Sequence, residues 1–279
     1  MHAASPSISR RSGPRFGPLW ILLGLLGSAP AAAGPGEVPA ADPAADPAAA
    51  LAAQLRAWQP LRAPVEPPRI QESDVRAALA GATVKGVVTV EGVAAGKAYG
   101  MRVFNVPVEV AWKAVTDDAH RAEHMPVSDS RIVRGAARTH DHLLYQYLPV
   151  PLFTDRWWIT RIRYNSALYQ KSGGLAWEMY FSDAHQDPTA MALVSPETLG
   201  DSIPLAWTKG AWLLVKLDEE HTFGAYYIWS DPGGNFPAGP ASRFSAITMG
   251  NTVDAMGRIA EGHAKTCNGT FIRPDGQPL

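Results

Sequence analysis

The sequence predicts an α+β protein in which a curved antiparallel sheet wraps around one long C-terminal helix. Three observations lead to this class. Strand-like patterns come first, then one helical pattern, then a long run of further strands and a single terminal helix. Along 156–164 the residues alternate with period two, so that Arg156, Trp158, Thr160, Ile162 and Tyr164 share one face. Near the C-terminus, Met249, Val253, Met256 and Ala260 step at four, three and four residues and form one apolar helix face.

The elements follow in order. Arg10, Arg11 and Arg15 precede the apolar run 19–27 and the small residues Ala31–Ala33, a pattern that reads as a cleaved secretory signal over 1–33. The run is about half the ~20 residues a spanning helix needs. No cysteine follows the cleavage site to take a lipid anchor. The mature chain is expected in the periplasm or outside the cell. Loss of three arginines leaves 22 basic against 26 acidic residues, with no basic stripe, which argues against nucleic acid as a partner. Cys267 is the one cysteine, so no internal disulfide is available and stability must come from a core.

Residues 34–70 are rich in Ala, Pro and Asp and read as a linker, disordered or loosely helical. The domain is expected over 71–268, with 269–279 as a tail. Ser73–Gly81 reads as a short capped helix stopped by its glycine. Strands are expected at 84–90 and 98–106, a helix from Pro107 to about Glu123, and strands at 129–136, 142–150 and 156–165. In Leu175–Phe181 the alternation puts Glu178 outward and Trp177, Met179 and Phe181 inward. A looser stretch, 183–208, carries three prolines. Strands 210–218 and 222–230 pair across Glu219-Glu220, with the phase of the first left open because Lys216 and Trp212 fall on the same side. The Gly/Pro-rich 231–240 is a loop, and the terminal helix runs over 243–265.

A sheet gripping one helix leaves a gap between them, the natural ligand site. Arg156 beside Trp158 on an inward face means that this face is partly hydrated or supplied with acceptors, which suggests a partly polar cavity; the alternative is an arginine in water at the strand's mouth with Trp158 as ordinary core. The second face, Trp157, Ile159, Arg161 and Arg163, is expected to reach solvent. Seven of nine Trp and all eight Tyr lie between Tyr99 and Trp229. Such side chains either fill a core or line an apolar site with one hydrogen bond to offer. The candidate lining residues on the strands are Tyr145, Tyr147, Arg156, Trp158, Thr160, Ile162, Trp177, Met179 and Phe181. The late hairpin, the following loop and the last helix add Trp212, Tyr226, Phe236, Val253 and Met256.

Other chemistry is weaker. His120-Arg-Ala-Glu-His124 has the spacing of a zinc-peptidase helix, yet it sits at a helix end with no third ligand in view. His140 and His142 share a strand face and read as surface histidines. His263 and Cys267 are four apart, a weak base–nucleophile pair, and Asn268-Gly-Thr270 fits a glycosylation sequon. No phosphate-binding loop, dinucleotide fingerprint or nucleophile elbow occurs. The chain is therefore expected to be no enzyme, with no catalytic residue, cofactor or metal.

Four stretches carry a family resemblance: Val106–Trp112 as a strand-to-helix junction, Pro151–Arg156 as a turn into a central strand, Gly210–Trp212 with Thr222 as a late hairpin, and Asp231–Pro237 as the loop before the last helix. Their order over about 84–265 resembles the START-like lipid-binding and polyketide-cyclase superfamily, whose fold is the helix grip. The resemblance implies an internal cavity for a lipid or sterol-like ligand, in a binding or transfer protein able to touch a membrane surface transiently. A cyclase or hydrolase using the same cavity is one alternative, and a binding or scaffold domain with a closed core and no ligand is another. Family members often have an acid after the arginine, where this chain has Trp157. Some carry a second cavity arginine where Ile162 stands, so the resemblance implies a less charged cavity here.

Overall fold

Period-two sequence turns into paired strands wherever each strand finds a neighbour on both edges. In the computed structural model this happens in one continuous sheet. The described residues are 46–62, 66–91, 96–118, 127–150, 153–234, 249–262 and 269–279. The chain divides into two units, Met1–Asp42 and Pro43–Leu279, and every described residue belongs to the second. The expected signal over 1–33 lies outside the described residues.

In chain order the elements are α1 (Pro47–Trp58), α2 (Glu72–Leu79), β1 (Val84–Val88), β2 (Lys97–Phe104), α3 (Val108–Thr116), β3 (Asp129–Arg134), β4 (His142–Leu148) and β5 (Arg156–Tyr164). Then come α4 (Ser166–Lys171), β6 (Ala176–Asp183), α5 (Pro188–Met191), α6 (Pro196–Leu199), β7 (Ile203–Pro204), β8 (Trp207–Lys216) and β9 (Thr222–Asp231). The last helix, α7, is described over 249–262. The strands run β1-β2-β9-β8-β6-β5-β4-β3, antiparallel throughout, with the short β7 parallel to the start of β5. The α+β class and the strand positions expected from sequence hold.

Local chemistry sets the turns. Asp218 accepts from the N–H groups of Glu220 and His221, each at 2.8 Å, and so folds the β8–β9 hairpin. Asp155 accepts from the Val150 N–H at 2.9 Å and the Tyr147 hydroxyl at 2.6 Å, closing the proline-rich turn before β5. These two bonds, the tyrosine's first, hold the Asp155 carboxyl below its ordinary range.

Helix α3 ends at Thr116, short of the expected Glu123, because Asp117 leaves the helical region (φ −83°, ψ 66°). Residues 119–126, with the His120–His124 motif, lie outside the description, as do 263–268 with His263, Cys267 and Asn268.

Helix α7 lies across the inner face of the sheet. Its Met249, Val253, Met256 and Ala260 are buried, as their spacing predicts. It crosses β2 at Gly100. A Cβ there would come 2.8 Å from Val253 Cγ2 and 3.1 Å from Met249 Cγ, so only glycine permits this approach. At the edge of the sheet Arg102 bonds Asp254 at 2.7 Å and pins the helix.

The outer face is covered too, which the sequence reading did not anticipate. Residues 46–62, expected in a linker, form α1 with Asp46 as its N-cap and Pro47 in its first turn. Ala48, Leu51, Ala52 and Leu55 pack with Val75 and Ala78 of α2 onto Met101, Leu213, Val215 and Phe223. Alanine keeps α1 close to the strands while adding little hydropathy, which is why the segment looked like a tether. Under α1, Glu178 is fully buried rather than solvent-facing. Its carboxylate pairs with Arg62 Nε at 2.7 Å and accepts from Asn165 Nδ2 at 2.8 Å.

The second face of β5 is likewise shielded. Trp157 and Ile159 pack with Leu143, Tyr145, Ala190 and Val194, so the expected solvent there is excluded by the α5 segment. Only Arg161 and Arg163 fit the expectation, half-buried beside Asp141.

In 269–279, expected as a tail, Phe271 joins the core. Phe271 is 1 % exposed, Trp112 Nε1 donates to the Ile272 carbonyl at 2.9 Å, and Ile272 bridges to Pro278.

Candidate functional site

The inner face of the sheet, beneath α7, is where a ligand would sit, and pairing fixes which side chains reach it. Cross-strand partners share a face. Thr160 pairs with Leu144, Trp158 with Gln146, and Ile162 with both His142 and Phe181. Met179 pairs with Trp212 and Trp212 with Tyr226, which settles the open phase of β8: Trp212 points inward. Arg156, Trp158, Thr160, Ile162, Trp177, Met179, Phe181, Trp212, Tyr226, Val253 and Met256 thus belong to the inner side, as expected.

Tyr145 and Tyr147 do not. Tyr145 pairs with Ile159 and Tyr147 with Trp157, which places both on the outer face. Tyr145 stacks on Trp157 with ring centroids 6.5 Å apart, and Arg131 sits 4.9 Å over it. Phe236 lies outside the described residues.

The inner face has two ends of different character. Toward α3 it is filled by the protein's own side chains, against the expectation of a hollow interior. Trp112 meets Tyr164 and Trp177 edge-to-face at 4.8 and 5.6 Å, and Trp212 stacks on Tyr226 at 4.5 Å. Trp112, Ile162, Trp177, Met179, Trp212, Val253 and Met256 are each at most 3 % exposed. Trp112 belongs to this cluster, and sequence reading missed it. The stripe Val108, Ala111, Trp112 and Val115 on α3 was the signal that could have found it.

Toward the start of β5 and the end of β9 the face loosens. Trp158 and Ile228 are half-buried, and Phe181 leans on Tyr226 at 6.4 Å. A Cβ at Gly210 would come 2.5 Å from Phe181 Cζ, so the glycine makes room for that ring. Polar but uncharged groups collect here. Gln146 accepts from Trp158 Nε1 at 3.0 Å and donates to Ser130 Oγ at 3.4 Å, while Thr208 and Ser230 share a hydrogen bond. Asp183, at the end of β6, is bonded to His185 at 2.8 Å.

Arg156 is neither in water nor open to a ligand headgroup. It is 5 % exposed, and its guanidinium donates to the Pro232 carbonyl at 2.6 Å, the Gly233 carbonyl at 3.3 Å and the Thr154 carbonyl. It ties the loop after β9 to the start of β5. Burial draws its pKa down and the neighbouring Asp155 opposes that.

His142 is also not at the surface. Both its side chain and that of Asp118 are 0 % exposed, joined at 2.9 Å, and its other nitrogen lies 3.0 Å from the Thr139 carbonyl. His140, by contrast, is exposed and accepts from the Tyr164 N–H at 3.1 Å. Among the described residues no group of three or more metal-ligating side chains assembles, and no helix is long and apolar enough to cross a membrane. A void of about 20 Å³ lies under 67–70, beside Arg62 and Tyr227. It has room for roughly one water.

No family model and no curated protein sequence matches the chain. Solved structures do. A STAR-related lipid transfer protein fragment from Xanthomonas axonopodis superposes with a TM-score of 0.52 at 18% identity, covering 65% of this chain and 98% of that one. Human STARD10 gives 0.50 at 12% identity, covering 65% and 74%. At these identities the likeness is one of fold: the sheet and its gripped helix are the START-like helix-grip arrangement.

Proposed function

We propose that this helix-grip domain binds a hydrophobic ligand, a lipid or sterol-like molecule, as a lipid-binding or lipid-transfer protein. One observation carries the reading: the inner face changes from sealed aromatic packing near α3 to half-buried Trp158, Tyr226 and Ile228 with hydroxyl and amide groups beside them. An apolar ligand ending in one polar group matches that sequence of surfaces. The lipid transfer protein from Xanthomonas shares the architecture, and this supports the same reading.

We take the protein to be a carrier rather than an enzyme. A cyclase or hydrolase needs an acid or base that reaches its substrate. His142 and Asp118 are fully enclosed, and Asp183 at the looser end is already paired with His185 at 2.8 Å. The amino-terminal pattern over 1–33 supports export to the periplasm or beyond, where such a carrier would meet membrane surfaces.

Native mass spectrometry of gently extracted protein tests the proposal. Co-purified lipid is expected in the parent and absent in Trp158→Arg, whose half-buried site should leave the fold intact by circular dichroism. Lipid retained by the variant would remove Trp158 from the site. A parent that carries no lipid and takes none up from vesicles would end the carrier reading.

A further inference from the structure

We propose that the ligand is electrically neutral, an apolar body ending in a hydroxyl, ketone or ester rather than in a carboxylate, sulfate or phosphate. This narrows the hydrophobic-ligand reading above and rests on it. The argument is a census of charge on the inner face. An anion drawn out of water needs a cation or several donors in return. The inner-face cations of the described residues are already committed. Arg156 is held by backbone carbonyls of Thr154, Pro232 and Gly233. Arg102 bonds Asp254 at 2.7 Å and Lys216 bonds Glu219 at 2.6 Å. Lys85, on the edge strand β1, is exposed and lies against Gly250 of α7, at the far side of the sheet from Trp158.

The groups at the looser end are of the opposite kind. Gln146, Ser130, Thr208 and Ser230 can each donate or accept without changing charge. They can exchange their mutual bonds for bonds to a hydroxyl or carbonyl. Among the described residues the carboxylate of Asp183, across from Thr160 at the end of β6, adds negative charge to this end and repels an anion. The same chain of atoms therefore binds better with a neutral end than with an anionic one.

Matched ligand pairs test this in the purified full chain. N-phenyl-1-naphthylamine, an uncharged apolar fluorophore, is bound first and then displaced by cholesterol against cholesteryl sulfate, and by dioleoylglycerol against dioleoylphosphatidate. The neutral member of whichever pair fits is expected to displace the probe at roughly tenfold lower concentration or better, a gap of about 1.4 kcal/mol or more. Gln146→Lys, which sets an ammonium at the looser end, should narrow or reverse that gap. Equal or tighter binding of the anionic member overturns the neutral-ligand inference and leaves the carrier reading standing. Binding of the probe with no displacement by either neutral ligand also overturns it. An unchanged preference in Gln146→Lys overturns the placement of the ligand's polar end. Failure to bind the probe and all four ligands overturns the carrier reading, and the inference with it.

Discussion

Replacing Gly100 by alanine measures how closely α7 is held. The new methyl carbon would lie 2.8 Å from Val253 Cγ2, 3.1 Å from Met249 Cγ and 3.4 Å from the Met249 carbonyl oxygen. Ordinary carbon–carbon contact is about 3.5–4.0 Å, so the methyl intrudes by roughly 1 Å. Strand β2 is paired on both edges, with β1 and β9, and cannot retreat. The helix must move, and overpacking of this kind costs about 1–3 kcal/mol. Val253→Ala at a fully buried position removes two methyl groups and should cost about 2 kcal/mol from transfer and cavity together. In the double variant the methyl of residue 100 takes up space that Val253 vacates. The combined loss should then fall short of the sum by about 1–2 kcal/mol. Equilibrium unfolding in urea, followed by tryptophan fluorescence at constant m-value, gives all three numbers. Additivity within about 0.5 kcal/mol, or a neutral Gly100→Ala, would refute the close crossing of α7 over β2.

Two further outcomes are expected. Glu178→Leu leaves the Arg62 guanidinium buried without its carboxylate and should cost about 3–5 kcal/mol, whereas Arg62→Met with Glu178→Leu should return stability close to the parent's; equal losses in the single and double variants would show that the pair is not coupled. Asp155, whose folded pKa is lowered chiefly by the Tyr147 hydroxyl, contributes stability above the ordinary carboxylate value of about 3.9 and loses it as pH falls through the lower folded value. Carbon-13 NMR titration should find Asp155 below the ordinary range in the parent and moved up in Tyr147→Phe. No movement would deny the tyrosine that role.

What could be read from the chain divides along physical lines. Alternation placed the strands and the inward phase of β5 and β6, because one face of each meets the aromatic core under α7. It said nothing about what covers the other face. Glu178 alternates outward as expected, yet its partner Arg62 lies 116 residues away in sequence, so a charge that looked solvated is an enclosed ion pair. The acceptors that Arg156 needs were expected but not identifiable: they include carbonyls of a loop 76 and 77 residues further on, and backbone acceptors leave no mark in side-chain composition. Tyr145 and Tyr147 are as aromatic as the inner-face residues, and only the register of β4 on β5, which pairs them with Ile159 and Trp157, sets them on the other side. The helix α1 hid behind its alanines.

The closing contacts around Phe271 have a consequence for how the molecule is made. Helix α7 and the segment that seals Trp112 follow every strand of the sheet in chain order. Strand β2 likewise waits for β9, more than a hundred residues downstream, before its second edge is paired. The interior therefore cannot close until residues 269–279 have been made.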